Sequence, residues 1–397
     1  MEYVKTDKNI FQISATVSLI GAYVALAYAL EYWSQLANVD NIIGALPLVL
    51  LTGIVAFWIT LIWKRHENAE TSTFVFALLS VLWALLLLPA WTGNWHPLLR
   101  TSNTNLASPD FTIYAPFAEG SQVAKLPAPA SLTLSENLPI LDGAIALYPL
   151  YAAFVHAVYD KDAYNQECCM TNTLEAYRRI ISGDCDIIFV AGASKKQSQA
   201  AHDAGVELVF TPIGREAFVF LVGKSNPIEN LSRQQLRNIY SGKTTHWRTL
   251  GWKDGGRIIA FQRPEGSGSQ TGLQAMMRGL PIQKPQPLPD GSLIGSGSLL
   301  QQVSVEWQGV QPALGYSYRY FATTMHPNPD AKLLAIDGVY PSNETIADGS
   351  YPFSGYFYAV TNGQPNGNAK RLIDWILTDE GQYLIEQTGY VPLGGNR

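Results

Sequence analysis

A short glycine–serine turn beside one arginine is the part of the sequence best suited to bind an anion. Residues 261–272 read FQRPEGSGSQTG, so Arg263 is soon followed by Ser267, Gly268 and Ser269. Glycine has no Cβ and lets the backbone approach a bound ion closely, and the free N–H groups at a helix start favour negative charge. A guanidinium is a planar, always-charged donor for phosphate or carboxylate oxygens. The pattern predicts an anion site, the alternative being a solvated loop with a surface arginine.

The segments around this turn predict how it is positioned. An apolar strand at 257–261 precedes it, and a helix is expected from residue 273. From about residue 138 onward, short β runs such as 186–190 and 216–222 alternate with helical patterns, including a closing helix at 369–388. This alternation is typical of an α/β domain with a parallel sheet. Ligands of such sheets bind outside the carboxyl ends of the strands, so several helix starts should converge there on an anion without a metal.

Composition excludes several classes of protein. With 397 residues the chain can hold two or three domains, and its net charge of −5 offers no basic field for nucleic acid. The three cysteines, Cys168, Cys169 and Cys185, are too few for a disulfide scaffold and lack metal-ligand spacing. The sequence leaves undecided whether Cys185 forms a disulfide bond with one of the other two cysteines. Neither a metal nor a cofactor is predicted.

Three uncharged apolar runs open the chain, at about residues 10–30, 42–63 and 73–91. Each is near the roughly 20 residues that a bilayer-spanning helix needs. A cleaved signal peptide would be one shorter run with a small-residue site, and buried core helices are the other alternative. Residues 1–99 are therefore predicted to be a membrane segment with three transmembrane helices, followed by a polar linker at 100–137.

The orientation of this segment follows from its basic residues. Lys5 and Lys8 precede the first run, and Lys64 and Arg65 separate the second from the third, whereas the loop at 31–41 has no Lys or Arg. We expect a multi-pass protein of the cell (inner or cytoplasmic) membrane. Its N-terminus would be cytoplasmic, and everything after the third span would be extracytoplasmic.

Several short strings follow one another along the rest of the chain. They are LDGAIALYPL at 141–150, GDCDI at 183–187, NIYSGKTTHW at 238–247, RPEGSGS at 263–269, LGY at 314–316, YPFS at 351–354, and EGQ through GYVPL at 380–393. In this order they resemble the phosphate-binding proteins of phosphate ABC transporters (PstS-like), within the type II periplasmic binding protein superfamily. The resemblance covers roughly residues 138–393 and does not include the three-span N-terminus.

The resemblance implies an α/β fold of the two-lobe type II periplasmic-binding-protein kind, preceded by three transmembrane α-helices. The solute-binding domain would be 138–397, with lobe 1 at about 138–224 and 314–397 and lobe 2 at about 225–313. The two lobes would close on an oxyanion. The residues that match the family's binding loops, or lie where such a loop should be, are Arg263, Ser267, Gly268 and Ser269, then Gly143, Ala144 and Ile145, and finally Thr171, Asn172 and Thr173.

Two positions depart from the family pattern. Ile145 stands where a hydroxyl residue is common. After the strand at 186–190, Ser194 and Lys195 stand where some members place a carboxylate that accepts the proton of hydrogen phosphate. Both departures bear on the identity of the ion.

These observations predict a membrane-tethered, extracytoplasmic solute-binding protein, not an enzyme. The resemblance implies that it captures inorganic phosphate or a similar oxyanion for ABC-type uptake, with the lipid bilayer and an ABC permease or membrane regulator as partners. One alternative is a membrane-anchored anion sensor or regulator without a transport role.

The second alternative is a hydrolase. Ser267 and Ser269 would then be candidate nucleophiles, but neither lies in G-x-S-x-G. Asp142 and Asp186 could act as paired carboxylates, although strand-end acids more often cap turns.

The aromatic run at 316–321 could stack on a carbohydrate, although alternating aromatic residues in a strand are more typical of a buried core.

Overall fold

The computed structural model describes residues 110–253, 255–284 and 313–394. The chain divides into two units, 1–100 and 101–397, and all described residues belong to the second. The three predicted transmembrane helices, at 10–30, 42–63 and 73–91, lie outside the described residues. Among the residues that are described, no helix is both long and apolar enough to cross a membrane.

Strands and helices alternate along the described chain. The strands are β1 (Leu141–Gly143), β2 (Ile187–Val190), β3 (Leu208–Gly223), β4 (Asn230–Leu231), β5 (Ile259–Ala260), β6 (Ala313–Tyr318), β7 (Ala331–Leu333), β8 (Ala335–Ile336), β9 (Ser354–Asn362) and β10 (Val391–Pro392). The α-helices are α1 (Tyr148–Val158), α2 (Thr173–Ser182), α3 (Lys195–Asp203), α4 (Arg233–Tyr240), α5 (Gly268–Met277), α6 (Asn343–Ala347), α7 (Gly367–Ile376) and α8 (Asp379–Thr388). Short 3-10 turns span Phe111–Tyr114, Ile145–Leu147 and Trp247–Leu250.

The main sheet is mixed, in contrast to the parallel sheet predicted from the alternating pattern. Its strand order is β1-β2-β9-β3-β6-β5, with β7 and β10 also pairing with β3. The outer pairs β1–β2 and β5–β6 are parallel. The central strand β9 is antiparallel to both β2 and β3. A strand near the end of the chain has thus inserted between two earlier ones, which local periodicity cannot reveal.

Strand β3 runs through both lobes. Residues 208–217 pair with β9, and residues 218–222 pair with β6. One apolar core surrounds the first half and includes Tyr151, Phe189 and Trp375. A second core surrounds the other half and includes Trp247 and Tyr316.

The lobes therefore divide near residues 216 and 353 instead of at the predicted 224 and 314. Residues 217–222 and most of the buried apolar residues between 313 and 351 pack in the second core. The predicted boundaries differ because β6 pairs with the second half of β3 and carries the following segment into the second lobe.

The predicted linker at 100–137 is folded over its described part, 110–137. Val123 and Leu134 are buried in the first core. The N–H of Leu134 donates to the carbonyl of Val158 at 2.8 Å, and the N–H of Ser131 donates to the Glu380 carboxylate at 2.9 Å. The segment was predicted to be a linker from its Ser- and Pro-rich composition, in which the few apolar residues that reach the core are widely spaced.

Candidate functional site

A cavity of about 320 Å³ is lined by both lobes and by most of the predicted site residues. The predicted residues in its wall are Ala144, Ile145, Asn172, Thr173, Arg263, Ser267, Gly268 and Ser269. Gly143 and Thr171 are not in the wall. The residues there that the sequence did not single out as ligands are Ala146, Leu174, Pro264, Glu265, Ser317, Tyr318 and Phe321.

The first wall segment follows strand β1. Gly143 packs against β2, where a Cβ would lie 2.5 Å from the carbonyl oxygen of Phe189, so its role is close strand packing. The N–H of Ala144 donates to that same carbonyl at 2.8 Å. The N–H groups of Ile145 and Ala146 begin the 3-10 turn and have no partner within it. This segment thus presents two backbone donors near the cavity.

The second wall segment is the start of α2. The Asn172 side chain caps this helix by accepting from the N–H of Glu175 at 3.0 Å. The N–H groups of Thr173 and Leu174 are the first of the helix and have no intrahelical partner. Thr171 does not contribute, because its hydroxyl and its N–H bind the buried carboxylate of Asp142 at 2.9–3.1 Å.

The third wall segment is the glycine–serine turn. It forms the first turn of α5, which begins at Gly268 and not at the predicted residue 273. Ser267 caps the helix by accepting from the N–H of Gln270 at 3.2 Å, so the N–H groups of Gly268 and Ser269 have no intrahelical partner. The N–H of Arg263 is held by Gln270 Oε1 at 3.0 Å and by Tyr316 Oη at 2.8 Å. These contacts fix the arginine relative to the helix start.

Burial sets the electrostatics of Arg263. It lowers the pKa of the guanidinium to about 10, and the nearby Tyr316 opposes this shift. The side chain therefore stays charged at neutral pH while losing part of its hydration, which costs free energy. An anion in the cavity would offset that cost.

The two lobes touch beside the cavity. Gln197 Nε2 of α3 donates to the carbonyl of Gly266 at 3.2 Å. A Cβ added at Gly268 would lie 3.0 Å from Thr173 Oγ1, and one added at Gly266 would lie 2.9 Å from Leu174 Cδ1. The absence of these Cβ atoms is what allows the close approach of the lobes.

The residues after β2 are structural. Ser194 caps α3, its hydroxyl accepting from the N–H of Gln197 at 3.2 Å. Neither Ser194 nor Lys195 lines the cavity. The wall does contain a carboxylate, that of Glu265 in the turn before α5. It accepts a hydrogen bond from Gln274 Nε2 at 2.9 Å.

Tyr318 and Ser317 reach the wall from the end of β6, in the aromatic run that we interpreted as core. Tyr316 is indeed fully buried, but Tyr318 Oη lies 3.5 Å from the carbonyl of Gly268. Burial raises the pKa of the Tyr318 phenol well above its usual range. The position at a strand end was the signal available in the sequence.

The two strand-end acids do not form a catalytic pair. Asp142 is fully buried and forms an ion pair with Arg179 at 2.6 Å. Its Oδ1 also accepts from the N–H of Gly143 at 2.8 Å. Asp186 accepts from the N–H of Ile140 at 2.7 Å. Both carboxylates are committed to holding the backbone, as strand-end acids commonly are.

Three helical starts and one guanidinium therefore surround a cavity between two α/β lobes. Residues 142–380 match the family model described as a PBP superfamily domain. The chain belongs to the PBP superfamily. Its described part has the two-lobe α/β fold of the type II periplasmic binding proteins.

The PBP domain is similar to two curated proteins named phosphate-binding protein PstS. The one from Bacillus subtilis (strain 168) is 27% identical over 182 residues, which cover 45% of this chain and 56% of the relative. The one from Borreliella burgdorferi is 22% identical over 189 residues, covering 46% of this chain and 65% of the relative. The chain thus spans between half and two thirds of the length of these relatives.

Among solved structures, the PBP domain is similar to an ABC-type phosphate transport receptor from Vibrio cholerae. The TM-score is 0.47 at 18% identity, and the similarity covers 63% of this chain and 98% of the other.

Proposed function

We propose that this PBP domain captures inorganic phosphate or a similar oxyanion between its lobes and carries out no reaction on it. The observation that carries the proposal is the convergence of the three helical starts, at Ile145, Thr173 and Gly268, with Arg263 on one cavity. Helix starts and guanidinium forks both favour phosphate oxygens. The two PstS relatives, which are named as phosphate-binding, support the same ion.

The hydrolase alternative has less support. The Ser267 hydroxyl caps α5, and Asp142 is neutralised by Arg179. Within residues 110–253, 255–284 and 313–394, no group of three or more His, Cys, Asp or Glu side chains could hold a metal ion. The wall is instead rich in backbone donors, which suits binding without chemistry.

Titration calorimetry of the purified full chain tests the proposal directly. We expect phosphate to bind with a stoichiometry of one and to raise the melting temperature. Sulfate should bind more weakly, because the carboxylate of Glu265 can accept a hydrogen bond from the O–H of hydrogen phosphate, whereas sulfate has no such donor and is repelled. Absence of saturable phosphate binding, with an intact thermal transition, would refute the proposed function.

We further propose that residues 1–99 tether the domain to the cell membrane by three spans. The three uncharged apolar runs and the placement of the basic residues support this arrangement. The partner would be an ABC permease that receives the anion. A membrane regulator that senses the bound state is the second candidate.

Cysteine accessibility tests this topology. In a background whose three native cysteines are replaced by alanine, a cysteine introduced at Ser102 should react with an impermeant thiol reagent on intact cells. A cysteine introduced at His66, beside Lys64 and Arg65, should react only after permeabilisation. The opposite pattern would contradict the orientation, and equal labelling of both on intact cells would contradict the three-span segment.

Ile145 is the position in the first wall segment where a side-chain hydroxyl could add a hydrogen bond to a bound anion. It is half-buried, lines the cavity and also packs against the core of the second lobe. Threonine keeps the branched carbon and adds a hydroxyl that can donate to a bound oxygen. One neutral hydrogen bond contributes about 0.5–1.5 kcal/mol, so Ile145→Thr should tighten phosphate binding roughly 2- to 13-fold.

Ile145→Val is the matched control, because it has the same branching without the hydroxyl. We expect valine to leave the affinity close to that of the wild type. If threonine leaves binding unchanged and lowers the melting temperature, its hydroxyl is buried without a partner. Ile145 would then be a packing residue only, and the first wall segment would lose its assigned role.

A further inference from the structure

A second cavity, of about 290 Å³, holds three guanidinium groups in its wall. Arg233 and Arg237 come from α4, and Arg278 from the end of α5. Residues of the first lobe, among them Ala191 and Tyr356, complete the wall. Tyr318 is the residue that this wall shares with that of the first cavity.

The contacts of two of these arginines orient them without using all their donors. Arg237 Nε donates to the carbonyl of Met276 at 2.9 Å. Arg233 Nε pairs with the Asp337 carboxylate, which also accepts from the backbone N–H of Arg233 at 3.0 Å. Both contacts use Nε, so the terminal amino groups of each guanidinium remain to donate.

The third guanidinium, that of Arg278, is exposed. Among the residues that the structure describes, no carboxylate lies within ion-pair distance of Arg237 or Arg278. These two side chains thus bring uncompensated positive charge to the wall.

The wall carries a net positive charge. Its charged groups are the three guanidinium groups and the side chain of Glu216, whose pKa burial raises to about 7, so the net charge at neutral pH lies between +2 and +3. Outside the wall, Asp337 beside Arg233 and Arg319 beside Glu216 cancel each other. Glu216 is further held by the N–H groups of Ala217 at 2.8 Å and Tyr320 at 3.1 Å. The excess charge is therefore positive and lies on the second-lobe side.

An aromatic surface borders the arginines. Tyr356 is 42% exposed in the wall. Arg215 lies over its ring at 4.7 Å from the centroid and donates to its hydroxyl at 2.8 Å. A planar group emerging from the cavity could stack on the exposed part of this ring.

We propose that this second cavity binds a diphosphate group. Arg233 and Arg237 are one helical turn apart, so their Cβ atoms are about 5–6 Å from each other. Several guanidinium groups around one small cavity match a ligand with two adjacent phosphoryl groups better than a ligand with a single negative charge. The volume accommodates inorganic pyrophosphate fully. A nucleoside diphosphate would have to place its base outside, against Tyr356.

Calorimetry with pyrophosphate and with ADP tests the proposal on the purified full chain. The titrations use Arg263→Met protein, so that the first cavity contributes little. Pyrophosphate should still bind with a stoichiometry of one. Adding Arg278→Met should weaken it about 10-fold, and adding Arg237→Met as well should weaken it about 100-fold or more.

Arg248→Met is the matched control, because Arg248 is an exposed arginine of the same lobe that does not line the cavity. It should leave the affinity unchanged. Tighter binding of ADP than of pyrophosphate, lost in Tyr356→Ala, would identify a nucleotide as the source of the diphosphate. Equal or weaker binding of ADP would identify the inorganic ion.

Two results would overturn the proposal. The first is no saturable binding of either probe to Arg263→Met protein that unfolds at the wild-type temperature. The second is an equal loss of affinity in Arg248→Met and Arg278→Met, which would reduce the effect to general surface charge. Arg278→Met alone keeps the test valid if Arg237→Met fails to fold, since the Arg237 contact to Met276 joins α4 to α5.

Discussion

Replacing Arg263 by methionine should weaken phosphate binding about 10- to 150-fold, because a hydrogen bond to a charged group contributes about 1.5–3 kcal/mol. The unbound protein should keep a melting temperature close to that of the wild type, because the substitution removes both the desolvation cost of the buried guanidinium and the contacts that this group makes. Burial lowers the pKa of this guanidinium, so the folded state disfavours the charged form that prevails at neutral pH. Methionine has a similar length and removes that cost. The backbone N–H at position 263 keeps its hydrogen bonds to Gln270 and Tyr316 in the variant.

Calorimetry gives the affinity, and thermal unfolding without phosphate gives the stability. Arg248→Met is again the matched control and should change neither quantity. An unaltered phosphate affinity in Arg263→Met would place the anion site elsewhere in the domain. A large fall in melting temperature would instead mean that the arginine serves mainly to pack the turn.

Introducing a side chain at Gly268 should prevent the lobes from approaching each other. The nearest atom to an added Cβ is Thr173 Oγ1, 3.0 Å away on the other lobe. Overpacking costs about 1–3 kcal/mol. Gly268→Leu should therefore weaken phosphate binding roughly 5- to 150-fold, and Gly268→Ala should give a smaller loss. We expect the lobes to part when no anion is bound and the clash to arise only when they touch, so the unbound protein should keep its melting temperature.

Small-angle scattering distinguishes this mechanism from a damaged site. The wild type should become more compact on adding phosphate, whereas Gly268→Leu should not. Gly394→Ala is the control, since nothing lies within 4 Å of a Cβ added there. Wild-type affinity in Gly268→Leu would show that the approach of the lobes at Thr173 is not needed for binding.

The sequence was informative wherever a short segment decides its own structure. Asn172 stands three residues before Glu175, which is the spacing of a capping box, and its side chain caps α2 by accepting from the N–H of Glu175. The glycine–serine turn after Arg263 starts a helix that lines the cavity. Such features depend on hydrogen bonds between neighbours in the chain, so they can be predicted without knowledge of the fold.

Other features depend on distant contacts, and for these the sequence was insufficient. The segment predicted as one helix at 369–388 is two, because α7 ends at Ile376 and Thr378 precedes the start of α8. Gly143 belongs to a string that matches a binding loop, and Thr171 lies where another such loop was expected. In the structure Gly143 packs against Phe189 of β2, and the Thr171 hydroxyl donates to Asp142. The second cavity joins side chains from both lobes, which no local pattern brings together.

The path of β3 has a consequence for how the protein is made. Leu208 pairs with Asn362 and Ala217 with Ser354, so the partner strand emerges from the ribosome long after β3 itself. At about 5–20 residues per second, β3 waits on the order of ten seconds for β9. During that time the edge of residues 208–217, which pair with β9, is exposed to other chains. A chain terminated before residue 354 would keep this edge permanently, and we expect it to aggregate instead of forming half of the molecule.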